Sequence, residues 1–284
     1  MRLKEFLPIS SESDPVKLLH RPPASQQIYK STVPSQYHDF AVEQYFASRF
    51  PYQTREAWIA QILNGDILIN GEKAQLGCIL HKGDRIITHA GMRQEPPADR
   101  RLKVIYQDRH IRVFNKPAPI PVHPSGRYFQ NSMTEVLREM FPGEVPRPVQ
   151  RLDATTTGLI VFARSRQAAA FLMKEFKGHR IQKEYLALVK GKPEEKQFTL
   201  TAPIGVVAGA LRGVGEGIMK PQSATTQVEW LGSTDTHSIL KVIPLSGRTN
   251  QIRVHLSSQS LPILNDEVYG ERVGESYEYG LHAW

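Results

Sequence analysis

The spacing of apolar positions in the first hundred residues predicts two short helices. Apolar residues recur every three or four positions after Asp39 and again after Thr54, and Asn64-Gly65 ends the second run. The apolar residues on these faces are Val42, Tyr45, Phe46, Trp58, Ile59, Ile62 and Leu63. The pattern then changes to short strands over 66–74 and after Gly83, with a tight turn at Asn70-Gly71. Residues 40–92 are thus predicted to form two helices packed on a small sheet.

Two segments beside this region lack an apolar period. Residues 1–39 contain five prolines and several serines, which favours a flexible or draped N-terminal extension. Residues 93–101 read RQEPPADRR, a stiff and charged composition typical of a linker. We therefore expect a domain boundary at 93–101, followed by a second domain over 102–284.

The second domain is predicted to be rich in strands. A hairpin is expected over 104–114, and a continuous apolar run over 158–163 has the length of a buried strand. Further strands are expected over 181–189, 224–231 and 237–243. Helices are expected over 132–141 with Asn131 as cap, from Ser165 to Gly178, and after Thr249. This mixture of elements predicts the α+β class.

Composition excludes several classes of protein. The chain has 284 residues, 40% of them hydrophobic, and no apolar stretch of the roughly 18 residues that span a bilayer. Cys78 is the single cysteine, so no internal disulfide can form, and the start MRLKEFLPISSES lacks the apolar core of a secretory signal. These features predict a soluble cytoplasmic protein.

The positive charge is concentrated in one part of the chain. The net charge is +8, and residues 101–192 hold seventeen Lys and Arg against seven Asp and Glu. Residues 41–98 are balanced, with six of each sign. A basic block of this kind either binds phosphates or is only a solvated surface, and charge alone does not decide between them.

Several familiar catalytic motifs are absent from the sequence. There is no P-loop, no His-Glu-x-x-His, no Cys-x-x-Cys and no Gly-x-Ser-x-Gly. The ten histidines are scattered rather than set at ligand spacing, so no metal site is expected. The glycines at 213, 215 and 217 lie in no strand–helix frame and predict a surface loop.

The remaining candidate is the polar loop 150–158, QRLDATTTG, which leads into the buried strand. Taken alone, Asp153 before Thr and Gly is more typical of an Asx-turn or cap than of a nucleophile. Both interpretations stay open on local grounds.

Four blocks in order resemble the RluA-type pseudouridine synthases. Arg151-Leu152-Asp153, with Thr157-Gly158-Leu159 and Ala163-Arg164 behind it, is similar to the catalytic motif of that family. The other three blocks are Asn115-Lys116-Pro117 with Pro121-Val122-His123-Pro124, Lys183-Glu184-Tyr185-Leu186-Ala187 with Gly191, and 247–255, GRTNQIRVH. Residues 40–90 resemble the S-four-type RNA-binding domain in the runs ILNGDILINGEKA and LHKGDRI.

The resemblance implies a mixed, mainly antiparallel sheet with flanking helices, and an enzyme that isomerises uridine in RNA. Asp153 would be the nucleophile or base, paired with Arg253, and Tyr185 would stack on the base or transfer a proton. Arg151 would help evict the uridine, and Ile252 would form an apolar wall. The expected phosphate contacts are Lys116, Arg164, Arg180 and Lys183, and Arg55 on the second helix of the S-four-type domain.

The resemblance further implies RNA as partner, either tRNA or ribosomal RNA, with no cofactor, metal or membrane, and a monomer. Three positions depart from the family pattern: Gln150 and Asn250 stand where histidines are usual, and Ala118-Pro119 displaces a glycine. The chain also stops at Trp284, where relatives continue through a further strand, so an unpaired sheet edge is expected. The alternatives are an inactive RNA-binding or ribosome-associated factor with the same fold, and a nucleoside hydrolase using Asp153.

Overall fold

The computed structural model describes residues 19–272 and 279–284. The described chain divides into two compact units, one over Pro22–Glu95 and the other over 19–21, 96–272 and 279–284. Each unit has its own hydrophobic cluster, around Trp58 in the first and around Phe114 and Leu240 in the second. The division falls inside the segment expected to contain the domain boundary.

The first unit contains both predicted helices and the predicted hairpin. Its elements are α1 (Val42–Arg49), α2 (Arg55–Leu63), β1 (Ser25–Thr32), β2 (Ile67–Ile69), β3 (Glu72–Lys73) and β4 (Arg85–Arg93). The Thr54 hydroxyl caps α2 by accepting the amide of Ala57 at 3.3 Å. Asn70 and Gly71 have φ values of 52° and 98°, as the two-residue hairpin turn requires. The two helices and the hairpin are confirmed.

Part of the expected N-terminal extension is an ordered strand. β1 pairs antiparallel with β4, giving the sheet order β1-β4-β2-β3. Val33, which follows β1, is buried in the cluster around Trp58. The expectation of an arm is therefore wrong for residues 25–33, because pairing with a strand about sixty residues away is not visible in a local pattern. Residues 1–18 of the expected arm lie outside the described residues.

The segment 93–101 is also more buried than a solvated linker. Ala98 is inaccessible to solvent and Asp99 is only 5% exposed. The amide of Asp99 donates to the carbonyl of Pro119 at 3.0 Å, and its carboxylate accepts from the Arg101 side chain. Backbone and side-chain hydrogen bonds therefore hold the later half of this charged segment against the second unit.

The second unit is built on a large mixed sheet. Its described strands are β5 (Lys103–Gln107), β6 (Ile111–Lys116), β7 (Arg147–Pro148), β8 (Thr157–Ala163), β9 (Tyr185–Lys190), β10 (Gln197–Leu200), β14 (Thr226–Ser233), β15 (His237–Pro244) and β16 (Leu281–Ala283). They run in the order β10-β14-β15-β9-β16-β8-β6-β5, with β7 also paired to β8. Every pairing is antiparallel except that of β16 with β8. The predicted α+β fold with a mainly antiparallel sheet is confirmed.

Three helices belong to this unit: α3 (Met133–Met140), α4 (Arg166–Lys177) and α5 (Gln251–Ser258). The Ser165 hydroxyl caps α4 as predicted, accepting the amide of Ala168 at 3.1 Å. The other two caps are each one residue from the expected position. Ser132 rather than Asn131 precedes α3, because the Asn131 amide instead donates to the carbonyls of His20 and Pro96. Asn250 rather than Thr249 precedes α5.

The glycines expected in a surface loop belong to a second, three-stranded sheet, in which Gly213 ends one strand and Gly215 and Gly217 lie in the loop before the next. It has the order β12-β11-β13, from β11 (Ile204–Ala208), β12 (Leu211–Gly213) and β13 (Met219–Gln222). Its strands are short and interrupted by shifts of register, which explains why no alternating pattern marked them.

The last strand lies inside the large sheet. β16 pairs with β9 on one side and with β8 on the other. The expectation of an unpaired sheet edge at the end of the chain is therefore wrong for this strand. Gly158 makes the second pairing possible: its φ is +108°, and a Cβ there would lie 2.1 Å from the carbonyl oxygen of Ala283. This pairing places Tyr185 and the start of β8 on either side of Ala283, at one end of the sheet.

Candidate active site

Asp153 lies on the polar loop that leads into β8, at the end of the sheet where Gly158 and Tyr185 flank Ala283. The amide of Thr156 donates to the backbone carbonyl of Asp153 at 3.1 Å, so the chain turns here through a backbone hydrogen bond, whereas an Asx-turn would use the Asp153 side chain as acceptor. The Asp153 side chain is 38% exposed. It lines a cleft of about 490 Å³ together with Arg151, Pro96 and residues 121–128. A turn-forming backbone and an accessible carboxylate therefore coexist at this residue.

Arg253 connects Asp153 to a second carboxylate. Its Nη1 donates to Asp153 Oδ2 at 3.1 Å, while its Nε and Nη2 donate to the two oxygens of Asp266 at 2.8 Å and 2.7 Å. The Asp266 side chain is fully buried and that of Arg253 is 12% exposed. The two-bond pair with Asp266 fixes the guanidinium plane, so the remaining nitrogen faces Asp153.

The electrostatics of this pair follow from burial and contact. Burial lowers the pKa of Arg253, but its hydrogen bond to Asp266 and the nearby negative charges outweigh burial and raise the pKa overall. Burial raises the pKa of Asp266, yet the hydrogen bond from Arg253 and two backbone amides outweigh it and lower that pKa. Both groups are therefore charged at neutral pH.

Sequence reasoning missed the residues around this pair. Asp266 also accepts hydrogen bonds from the amides of Val268 and Tyr269 and from the hydroxyl of Tyr279. The Arg253 guanidinium lies 4.9 Å from the ring centroid of Tyr269 and 5.8 Å from that of Tyr279. The one available signal was an aspartate two residues after the apolar run 261–264, where an unpaired charge would be costly to bury.

Tyr185 is the first residue of β9, and it packs against both hydrophobic clusters of the large sheet. Burial, and then the negative charge of Asp153, raise the pKa of its hydroxyl to about 12. The hydroxyl therefore keeps its proton at neutral pH, close enough to Asp153 to be influenced by that charge.

Lys116 does not belong to a phosphate-binding surface. Its side chain is inaccessible to solvent, and its Nζ donates to the carbonyls of Pro117, Ile120 and Ala154 at 2.9, 2.8 and 3.0 Å. Burial lowers its pKa to about 7, while the charges of Asp153 and Asp99 act in the opposite direction. Three carbonyl acceptors match the three protons of an ammonium group, so Lys116 fastens the 117–120 loop to the residue after Asp153.

Arg164 also differs from its expected role. Its guanidinium donates to the carbonyl of Asp108 at 2.8 Å and to Glu144 at 3.1 Å. It follows the last residue of β8, whereas Asp153 precedes the first, and a seven-residue strand separates its ends by about 20 Å. Arg164 is therefore a structural partner of Glu144 and lies far from the cleft.

The other sequence-predicted residues are placed as follows. Arg151 is exposed and lines the cleft. The Nζ of Lys183 donates to the Ser246 carbonyl at 2.9 Å, and burial lowers its pKa. Ile252 is 7% exposed within the cluster that Tyr185 also contacts. Arg180 forms a two-bond pair with Glu175.

Arg55 belongs to the first unit. It is the first residue of α2, and its side chain is 55% exposed, 3.9 Å from Glu43.

The departures from the family pattern have definite contacts. The Gln150 amide donates to the Leu159 carbonyl at 3.3 Å. The Asn250 side chain contacts Arg253 and Tyr269, and the Ala118-Pro119 peptide bond is cis. Within the described ranges, no group of three or more His, Cys, Asp or Glu side chains is arranged to hold a metal ion. No helix among these residues is long and apolar enough to cross a membrane.

Comparison with known proteins identifies the family. A family model described as RNA pseudouridylate synthase matches residues 110–258, just over half of the chain. The mitochondrial tRNA pseudouridine(32) synthase of Saccharomyces cerevisiae is 36% identical over 248 residues, which are 85% of this chain and 53% of that protein. The ribosomal large subunit pseudouridine synthase D of Pseudomonas aeruginosa is 30% identical over 238 residues, which are 81% of this chain and 74% of that protein.

Solved structures agree with this result. Human RNA pseudouridylate synthase domain containing 1 is 29% identical with a TM-score of 0.58, covering 67% of this chain and 79% of that one. The chain therefore belongs to the RNA pseudouridylate synthase family, and its RluA-type resemblance is confirmed. It spans about half the length of the yeast relative and 59% of RNA pseudouridine synthase 7 from Arabidopsis thaliana.

Proposed function

We propose that this chain isomerises uridine to pseudouridine in structured RNA, with Asp153 as the catalytic nucleophile or base. The observation that carries the proposal is an aspartate whose Oδ2 is bound by Arg253 at 3.1 Å while its side chain lines an open cleft. The reaction breaks an N-glycosidic bond, turns the base and forms a carbon–carbon bond at the same sugar carbon. A carboxylate beside the sugar suits each route to this result: attack on the sugar, addition to the base ring, or removal of a sugar proton.

The neighbouring residues suit supporting roles. Arg253 donates a hydrogen bond to Asp153 Oδ2, which holds that carboxylate at the cleft. Tyr185, protonated at neutral pH, can stack on the base and donate or relay a proton. Arg151 is exposed at the cleft, where it can replace the displaced uridine in the RNA stack. Ile252 supports this end of the sheet as an apolar wall.

RNA is the proposed substrate because of charge and because of the relatives. Residues 101–192 hold the whole excess of positive charge, which favours contact with phosphates. The yeast relative is named for tRNA and the Pseudomonas relative for the large ribosomal subunit, so both RNAs are substrates to test. The first unit, with Arg55 exposed on α2, is proposed as an S-four-type RNA-binding domain. The monomeric state and the cytoplasmic location stay predictions, and the yeast relative is named as mitochondrial.

The experiment incubates the full chain with tRNA and large-subunit ribosomal RNA transcripts and maps pseudouridine by carbodiimide-dependent reverse-transcription stops. The variants are Asp153→Asn and Asp153→Ala. Asp235→Asn is a matched control, since Asp235 is exposed in the turn between β14 and β15, at the end of β15 remote from Tyr185. We expect a uridine that is modified by wild type and control, and a fall in rate of about 10³-fold or more with either Asp153 variant.

Two other outcomes would contradict the proposed isomerisation. Binding of RNA with no pseudouridine on any substrate would contradict the enzyme and favour an inactive RNA-binding factor. Release of free uracil would identify a hydrolase, because isomerisation joins the base to the sugar again and releases none.

A further inference from the structure

Asn250 has an unusual conformation for a residue at a helix start. It precedes α5 with φ 56° and ψ 23°, in the left-handed region, and its side chain makes no capping hydrogen bond. Instead, its Oδ1 accepts from Arg253 Nη1 at 3.3 Å and its Nδ2 donates to the Tyr269 hydroxyl at 3.0 Å. The residue best suited to cap the helix thus holds two neighbouring side chains.

The contact with Arg253 falls on the nitrogen that also binds Asp153. Nε and Nη2 of the guanidinium are taken by Asp266, and Nη1 is shared by Asp153 Oδ2 at 3.1 Å and Asn250 Oδ1. An amide oxygen is neutral, so it fixes the direction of Nη1 without cancelling the charge that faces Asp153. A carboxylate in the same place would compete with Asp153 for the cation.

Tyr269 fixes the amide in turn. Its hydroxyl oxygen accepts from Asn250 Nδ2 and, at 3.1 Å, from the backbone amide of Arg212. Its ring lies against the Arg253 guanidinium. A guanidinium has only donors, so the Asn250 oxygen must face Arg253 and its nitrogen must face Tyr269. Asn250 therefore has one orientation that satisfies both partners.

We propose that Asn250, held by Tyr269, is a positioning residue that aims Nη1 of Arg253 at Asp153. This inference rests on the proposed function. Asp266 alone holds one edge of the guanidinium, and Asn250 adds a fixed contact at the opposite nitrogen. A small misplacement of a group that contacts the reacting carboxylate is costly to the rate, even where substrate binding is unchanged.

The main test is Asn250→Gly in the full chain. Glycine adopts the left-handed conformation without strain, so the helix start is retained while both side-chain contacts are lost. We expect kcat to fall about tenfold with KM within about twofold, because the contact acts through Arg253 rather than on the RNA. Ser260→Gly is the matched control: Ser260 follows α5, has φ 57° and is exposed, so its kcat should equal that of wild type.

Two further variants separate positioning from a merely structural role. Tyr269→Phe removes the hydroxyl and keeps the ring, so we expect a fall in kcat of about threefold. Asn250→Asp keeps the shape but adds a negative charge that competes with Asp153 for Nη1 of Arg253. The pH profile of kcat should then differ from that of wild type, whereas a merely structural change would leave its shape unchanged. The charged and titratable groups around Asp153 that remain in all variants are Lys116, Tyr185, Arg253, Asp266 and Tyr279, together with His123, Arg127 and Arg151, which line the same cleft.

The outcomes are distinguishable from those that test the proposed function. If wild type forms no pseudouridine on either RNA, the proposed function fails. If wild type is active and Asn250→Gly and Asn250→Asp keep its kcat and pH profile, the positioning role is wrong. A thermal unfolding scan checks that each variant is folded. If Asn250→Gly is unfolded, the pH profile of Asn250→Asp and the kcat of Tyr269→Phe decide whether Asn250 has a positioning role.

Discussion

A cluster of arginine and carboxylate side chains lies at each end of β8, and the two clusters have opposite ratios of arginine to carboxylate. Before β8, one arginine, Arg253, is shared by the carboxylates of Asp153 and Asp266. After β8, one carboxylate, Glu144, is shared by Arg112 and Arg164 at 3.1 Å each. The first cluster has one negative charge in excess, and the second has one positive charge in excess.

Exposure does not distinguish the two clusters. The side chains of Asp153 and Glu144 are each 38% exposed. The difference is that Asp153 opens on a cleft of about 490 Å³, whereas the space beside Glu144 is about 20 Å³. Arg112 is further held by Gln107 and by the ring of Phe141, 3.6 Å from its centroid. Asp153 therefore lies beside space that another molecule can enter, whereas Glu144 does not.

The largest expected effect comes from removing the buried carboxylate of the first cluster. Asp266→Asn leaves the Arg253 guanidinium without its main partner in a buried site, which destabilises by about 3–5 kcal/mol. Activity should also fall, since Arg253 loses the two bonds that fix its plane. Urea unfolding monitored by circular dichroism gives the free energy of unfolding. A loss below about 1 kcal/mol would mean that Asp266 does not anchor Arg253.

The next largest effect is expected at Gly158, the glycine that allows β8 to pair with β16 at the Asp153 end of the sheet. Gly158→Ala puts a methyl group 2.1 Å from the Ala283 carbonyl oxygen, in addition to straining a φ of +108°. We expect a loss of about 3 kcal/mol in the free energy of unfolding, because the pairing of β16 with β8 must open.

The matched control for Gly158 lies at the other end of β8. Gly143, next to Glu144, also has a positive φ of +90°, but nothing lies within 4 Å of its Cβ position. Gly143→Ala should therefore cost only the backbone strain, about 1 kcal/mol. Equal losses in the free energy of unfolding for the two variants would contradict the role of Gly158 in the pairing of β8 with β16.

Features set by neighbouring residues were predictable from the sequence, and features set by distant contacts were not. The start of α2 after Thr54, the cap at Ser165 and the Asn70-Gly71 turn depend on a few adjacent residues, so their prediction is confirmed. β1 and β16 depend on partners far along the chain, and their patterns gave no indication of those partners.

The same distinction explains which residues of the candidate site could be predicted from the sequence. Asp153, Arg253 and Tyr185 were found through motifs, and the structure brings Arg253 to Asp153. Lys116 was assigned to a phosphate surface together with the family blocks, and only the folded chain shows three carbonyls around its Nζ. Asp266 was missed because it is joined to Arg253 by the path of the chain after α5, which no local pattern fixes.

The smallest expected effect is at the second cluster. Glu144→Gln removes a partly exposed carboxylate, so we expect a loss of about 1 kcal/mol in the free energy of unfolding and no change in pseudouridine formation. Burial raises the pKa of Glu144, but hydrogen bonds from Arg112 and Arg164 outweigh it and lower that pKa below its ordinary value of 4.5. Its stabilising contribution is therefore complete above the unfolded pKa and is lost as the pH falls through the folded value.

The difference in stability between wild type and Glu144→Gln should thus be largest near neutral pH and vanish in acid. Urea unfolding of both proteins between about pH 3 and pH 7 measures it. A matching loss of activity would contradict the contrast between the two ends of β8, because a cluster with no open space beside its carboxylate should contribute only to folding. Unchanged activity with a loss of stability confined to neutral pH would show that two carboxylates of similar exposure, one at each end of β8, serve different purposes.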